Sequence, residues 1–325
     1  MNSGSYPKTG QPGLASKSEL TRQVESWRRL LADCGRKPSR RRVHGLRVAT
    51  LRLQAETEYW LERHGEDNPS AHAVKRWNRQ AEKLRGTLSK VRETDVYLGK
   101  LHRLRGSVAG PDEGPLRLTR ICLRQIGLVE RKFEEVRKNA ANKLAEEIDD
   151  RRRRLDRLSK DLELVPASEA SWGEGSGSSG VRDMIAGLAT DFPELNGDNL
   201  HEFRKRVKKV RYVAEILAFG DPRRGRQVAP LKRMQSAVGT WHDWQTLAKK
   251  AAHTLRGSDR KVGLADLLET LAEESLQNAI DLCRRTMTRL LKQSGGNPVS
   301  LQLLPPKLPV RGIEAVDASD EKRFA

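Results

Sequence analysis

Cysteine, aromatic residues and long apolar runs are all scarce in this chain, and each scarcity excludes something. Three cysteines, Cys34, Cys122 and Cys283, are spread over 325 residues. Odd in number and far apart, they suit neither a disulfide framework nor a run of zinc ligands, and they fit a reducing cytoplasm. Aromatic residues make up 5% of the chain. No stretch alternates apolar and polar residues as a half-buried strand does, so a β-rich fold is not expected. No apolar run approaches a membrane span, and the N-terminus carries no hydrophobic signal core. The chain is therefore expected to be soluble and cytoplasmic. Catalytic signatures are missing too. Neither the phosphate-cradling G-x-x-x-x-G-K-[ST] loop nor the zinc-binding HExxH occurs. Carboxylates near the most basic stretches are too few to hold magnesium for phosphoryl transfer. No cofactor and no metal are expected, and the protein is expected to bind rather than to catalyse.

What the chain has in abundance is positive charge. Lys and Arg number 62 against 43 Asp and Glu, a net charge of +19, with a pI near 10.1. That balance favours polyanion partners: polyphosphate, nucleic acid or an anionic membrane surface. Hydrophobic residues make up 36% and charged residues 32%. The length suffices for one large or two modest cores, and the composition is that of helices.

The chain divides into five stretches. Residues 1–17 are rich in Gly, Ser and Pro and are expected to be disordered. A first helical unit covers 18–165, a Gly/Ser-rich linker 166–180, a second helical unit 181–292, and a tail 293–325 containing LPPKLP. In the first unit Leu20, Val24, Trp27 and Leu30/Leu31 recur at helical steps. Gly35 ends that helix and Ser39 is placed to cap the next, which runs to about His64. Asn68-Pro69 opens a third helix, and long helical stretches cover about 116–164. The second unit repeats the order with a short helix from Val181, one from Leu200, one from about 223 and a long one over about 262–292.

The most informative stretch is LHEFRKRVKKVR, residues 200–211. On a helix, Leu200, Phe203, Val207, Val210, Ala214 and Leu217 share the buried face. His201, Arg204, Lys208 and Arg211 follow the same steps as a narrow stripe beside it. Glu202 is the one acid in the stretch before Glu215, so local helical pairing does not account for the cations. An anion is the simplest explanation for tolerating their mutual repulsion. The run RRRR at 151–154 is different, because Glu146, Glu147, Asp149, Asp150 and Asp156 surround it, and it reads as a solvated face.

The stretch occurs twice. Residues 43–60 align with it so that His44 and Arg47 fall on His201 and Arg204, and Leu51 and Gln54 fall on Lys208 and Arg211. A second match follows each copy: KLRGTLSKVRETDVYL (83–98) lies over RMQSAVGTWHDWQTLA (233–248), with Lys83 on Arg233, Arg92 on His242 and Glu93 on Asp243. Two matches in one order point to a duplicated helical unit.

This pattern of His, Arg three residues on, further cations, and an Arg-Asp or His-Asp step on a following helix resembles the CHAD family, the conserved-histidine α-helical domain. The resemblance spans roughly residues 18–292. The second copy fits with His201, Arg204, Lys208, Lys209 and Arg211, then His242-Asp243. The first keeps His44, Arg47 and Arg52, but has Leu51 and Gln54 where basic residues are usual and Glu93 where Asp is usual. The resemblance implies an all-α fold of two four-helix bundles related by internal pseudo-twofold duplication, with a basic surface that binds inorganic polyphosphate. A triphosphate tunnel hydrolase is a frequent fusion partner of the family. Its ExExK strand is missing, so a stand-alone domain is expected.

The expected polyphosphate-binding residues are Arg40, His44, Arg47, Arg52 and Lys83 in the first copy. In the second they are His201, Arg204, Lys205, Lys208, Lys209, Arg211 and Arg233. Arg grips phosphate oxygens bidentately while Lys acts as a point charge, and a ladder of both suits a chain of repeating phosphates. The two histidines stand beside arginines, which disfavours a metal and suits phosphate at a helix start. Because two cations of the first stripe are replaced, the surface is expected to be asymmetric, stronger in the second half, with Arg40 extending the first stripe at its other end. Trp27, Trp60 and Trp241 lie on apolar stripes and are expected in the core. That leaves no aromatic platform for bases and makes nucleic acid the second choice of partner. Polyphosphate granules would be the matching location, and a helical scaffold for an acidic protein is a third reading.

Overall fold

In the computed structural model the protein is helical throughout the described residues, which are 19–106, 120–163, 177–217, 224–256 and 263–293. Eight α-helices follow one another: α1 (Glu19–Arg36), α2 (Arg40–His64), α3 (Ala71–Gly106), α4 (Arg120–Glu163), α5 (Gly177–Asp191), α6 (Leu200–Leu217), α7 (Val228–Thr254) and α8 (Leu264–Gln293). A short 3-10 turn, Arg224–Gln227, leads into α7. Helix α5 starts at Gly177, so it takes in the last four residues of the expected linker ahead of Val181. Most of that linker, the expected N-terminal tail and all of the expected C-terminal tail beyond Gln293 lie outside the described residues.

Local chemistry sets the helix ends. Ser39 caps α2, its hydroxyl accepting from the Arg42 backbone N–H at 3.4 Å, as its position in the sequence suggests. Gly65 closes the same helix with φ +76, a left-handed conformation that glycine adopts without a Cβ penalty. The Asn196–Asn199 turn before α6 bonds reciprocally: the Asn196 N–H donates to the Asn199 carboxamide at 3.0 Å, and the Asn199 N–H to the Asn196 carboxamide at 3.1 Å.

Apolar stripes then assemble the helices. In the first half α1, α2, the first part of α3 and the last part of α4 bury Trp27, Leu46, Trp60, Trp77, Leu88 and Leu155 together. Trp27 and Trp77 meet edge to face at 5.9 Å, and the Trp27 indole donates to Thr50 at 2.9 Å, which fixes α1 on α2. In the second half α5, α6, the first part of α7 and the last part of α8 bury Ile185, Phe203, Val207, Leu231, Trp241 and Cys283. Trp27, Trp60 and Trp241 thus all sit in cores.

A third core joins the halves. The end of α3 (Tyr97, Leu101), the start of α4 (Ile126, Phe133), the end of α7 (Leu247, Ala251) and the start of α8 (Leu264, Leu268) pack against one another. Gln125 of α4 accepts a hydrogen bond from the Leu264 N–H at the start of α8, at 2.8 Å. Away from this core, α2 touches α6 through Leu51, Ala55 and Tyr212. The joint between the halves is therefore held at two places, with the basic helices between them.

Candidate functional site

Between the Leu51–Tyr212 contact and the third core, three helices turn cations toward one another and a fourth adds a histidine and a carboxylate. Helix α2 contributes Arg47, α3 contributes Arg85 and Arg92, α6 contributes Arg204 and Lys208, and α7 brings His242 and Asp243. Arg47 feels Arg92, Arg204 and Arg85 as its charged neighbours, and burial together with Arg92 lowers its guanidinium from 12.5 to about 10. It stays charged at neutral pH. Burial lowers Arg204 as well, against the opposing pull of Asp243.

The second-helix residues position these arginines. The Arg47 Nε–H donates to the Ser89 hydroxyl of α3 at 3.4 Å. Arg204 lies over Gly239 of α7, its guanidinium 3.6 Å from where a Cβ would stand. Ser89 and Gly239 are aligned positions of the sequence repeat, so each copy's arginine rests on the same place of its following helix. Arg92 reaches across the halves to Asp243, whose carboxylate accepts at 3.4 Å. The Nε of Arg204 is buried without a hydrogen-bond partner, an orphaned donor that a phosphate oxygen can satisfy.

Lys208 is the most perturbed cation. Burial first, then Arg47, Arg85, Arg204 and Arg211, push its ammonium from 10.5 down to about 7. Its Nζ stands 5.8 Å from the centre of the Tyr212 ring, with Arg211 on the same ring at 4.2 Å. At the start of α6 the His201 ring lies 5.2 Å from the His242 ring. Burial lowers the pKa of both imidazoles; Lys205 and Arg204 add to the effect on His201, and Arg204 on His242.

The expected residues thus separate into groups. Arg47, Arg204, Lys208 and His201 come together at the cleft. Arg211 is buried beside it, but its guanidinium is bound to Glu215 at 2.6 Å. Arg52 faces Glu215 at 3.7 Å, Lys209 binds Glu62 at 2.5 Å and Lys205 binds Glu202 at 2.9 Å. Lys205 and Arg211 thus pair within α6, whereas Lys209 and Arg52 pair across the α2–α6 contact. Arg40 is exposed, with its guanidinium against Gly99 of α3, two turns beyond Arg92. His44, Lys83 and Arg233 are exposed, as are Arg152 and Arg153 of the solvated run. Leu51 and Gln54, the two apparent gaps in the first stripe, are each 4% exposed. Gln54 accepts from Arg85 at 3.2 Å and donates to the Asn78 carbonyl at 3.4 Å.

Arg85 and Arg92 take the place on α3 that the sequence gives to Lys83. The signal was helical phase. Arg85, Ser89 and Arg92 stand at i, i+4 and i+7 and share a face, whereas Lys83 lies off it. A shallow cavity of about 280 Å³ opens beside Arg85, lined also by Gln54, Glu58, Lys75, Asn78, Arg79 and Glu82. Its mixed charge sets it apart from the cationic cleft. Among the described residues no group of three His, Cys, Asp or Glu side chains is arranged to hold a metal ion.

A helical protein whose two halves meet around a cationic cleft is the class that this fold and site define. The chain belongs to the CHAD domain family, which it matches over residues 18–252. The match ends before α8, although α8 completes two of the three cores. PptA from Streptomyces chartreusis shares the fold at 16% identity and a TM-score of 0.58, over 85% of this chain and 97% of that one. The CHAD domain from the plant Ricinus communis shares it at 16% identity and a TM-score of 0.56, over 87% of this chain and 97% of that one. At such identity the likeness is one of fold. No curated protein sequence gives a significant match. Among the described residues no helix is long and apolar enough to cross a membrane.

Proposed function

We propose that this protein binds inorganic polyphosphate in the cleft between its halves, without turning it over, and that this binding places it on polyphosphate in the cytoplasm. The observation that carries the reading is the convergence of Arg47, Arg85, Arg92, Arg204 and Lys208 from three helices on one half-buried site. Asp243 and Glu58 are the carboxylates beside them, and Asp243 is held by Arg92. Like charges brought together at this density cost stability, and a linear chain of phosphates offsets that cost along its whole length. Arginine forks and a lysine point charge suit phosphate oxygens, and a polymer with one charge per unit matches a site built across several helices.

Binding rather than catalysis fits the same donor set. Among the described residues the carboxylates nearest the cluster are engaged with its cations: Asp243 serves Arg92, and Glu58 faces Arg85 and the lysines of α6. Nucleic acid shares the phosphate chemistry, but Trp27, Trp60, Trp77 and Trp241 are in the cores and offer no platform for bases. Competition of labelled polyphosphate against single-stranded DNA and RNA at physiological salt tests the reading. Polyphosphate is expected to displace the nucleic acids and not the reverse, with its chain length unchanged after prolonged incubation. Equal competition per phosphate would make the site a general polyanion surface, and shortening of the chain would make the protein an enzyme.

A further inference from the structure

Lys208 is placed unlike the other cations of the cleft. Its own helix sets Arg204 and Arg211 beside it, and α2 and α3 direct Arg47 and Arg85 at it. Glu58 on α2 is the facing carboxylate, close enough to feel the Lys208 charge. No carboxylate lies within ion-pair distance of the Lys208 amine among the described residues, whereas neighbouring Lys205 and Lys209 each have one. Helix α7 adds His242 and Asp243, which act on Arg204. An amine enclosed by guanidinium groups, which do not release protons, is the one member of the cluster able to relieve the repulsion by losing its own.

We propose that polyanion binding in this cleft is coupled to uptake of one proton by the Lys208 amine, so that the protein holds its ligand more tightly as the solution becomes less alkaline. The inference rests on the polyphosphate reading and adds its regulation. In the free protein the amine is substantially neutral just above neutral pH, since burial and the four cations bring its pKa to about 7. Phosphate oxygens entering among the guanidinium groups reverse the local potential. The amine then takes a proton from solvent, R–NH2 + H⁺ → R–NH3⁺, and the new ammonium donates to the ligand. Between the free and bound titration points, affinity falls about tenfold for each unit of rising pH.

Titration calorimetry of the full chain with polyphosphate at mildly alkaline pH, in two buffers of different ionisation heat, reads the number of protons directly. Wild type is expected to take up about one more proton than Lys208→Arg, whose side chain stays charged in both states. Lys208→Met, of similar length, replaces it if the arginine variant fails to fold. Equal uptake by wild type and variant overturns the proposal. A second measurement needs no ligand: the 13C-methylated lysine resonances of the free chain are followed against pH, with Lys208 identified by its loss in the variant. A midpoint near neutrality supports the proposal, and one in the ordinary lysine range overturns it. Failure of polyphosphate to bind at all overturns the functional reading and the coupling together. The free-chain titration then still shows whether the amine is neutral, so the two failures are distinguishable.

Discussion

Filling the two gaps of the first basic stripe should break the protein. By the sequence repeat, Leu51→Lys with Gln54→Arg restores the cations that Lys208 and Arg211 supply in the other copy, and a more basic surface should result. The structure reverses that expectation. Leu51 is 4% exposed and packs with Ala55 and Tyr212 where α2 meets α6. Removing it forfeits about 2 kcal/mol of apolar burial. A new ammonium at that seam stands one turn from Arg47 and beside Tyr212, where Glu215 is already engaged by Arg52 and Arg211, which adds several kcal/mol, less whatever the long stem recovers by reaching solvent. A guanidinium at position 54 replaces a carboxamide that accepts from Arg85 at 3.2 Å, so a hydrogen bond becomes a repulsion. A net loss of about 3–5 kcal/mol is expected from Leu51→Lys alone. Leu51→Met, which keeps the volume, should cost less than about 1.5 kcal/mol. Urea denaturation followed by helical circular dichroism measures both. A Leu51→Lys variant as stable as wild type, with tighter polyphosphate binding, would refute the seam.

Other outcomes follow from the same geometry. With four to five phosphate contacts at about 0.7 counterions each, log affinity should fall against log salt with a slope of about −3, and binding should survive EDTA. A slope near zero would remove the electrostatic account. His201 and His242 have pKa values lowered by burial and nearby cations, and a bound phosphate raises them, so affinity should climb further as pH drops below their ordinary range. His201→Gln with His242→Gln should flatten that climb, and an unchanged profile would make the pair structural. The pKa of Lys208 is depressed in the folded state, so the native chain binds fewer protons than the unfolded chain between about 7 and 10.5, and stability rises with pH across that window. Lys208→Met should remove this slope and stabilise the free protein most below the window, by about 2–4 kcal/mol after allowance for solvent screening; parallel urea profiles for variant and wild type would exclude it.

The helices were legible because their signals are local. Period-3.6 stripes and the Ser39 cap act within a few residues, and the structure keeps them. Helix α3 starts at Ala71 rather than at Pro69, with the Asn68 carboxamide accepting from the Ser70 N–H at 2.8 Å just before it. The His-Arg helices and their following partners were legible because two copies repeat the same order. What the sequence does not show is which stripe meets which. The apolar stripes of α3 and α7 simply continue from one core into the next, so nothing in their period separates Leu88 of the first core from Leu101 of the third. The same blindness governs the cations. Lys209 looks unpaired along the chain, yet finds Glu62 across the α2–α6 contact, and Arg52 meets Glu215 there although Glu56 stands four residues on in its own helix. Arg85 is lost among neighbouring cations until helical phase puts it with Arg92, while Lys83, its near neighbour in sequence, faces outward.

The central claim is that a built cleft, and not the net charge of +19, holds polyphosphate. The most direct measurement compares two variants that each lose two positive charges. Arg47→Gln with Arg204→Gln removes the pair resting on Ser89 and Gly239, and Arg152→Gln with Arg153→Gln removes an exposed pair on α4. Fluorescence anisotropy of end-labelled polyphosphate is expected to show a loss of about 2–4 kcal/mol in binding free energy for the cleft pair. For the exposed pair a change under about 0.5 kcal/mol is expected. Equal losses from the two variants, with both folded, would contradict the account.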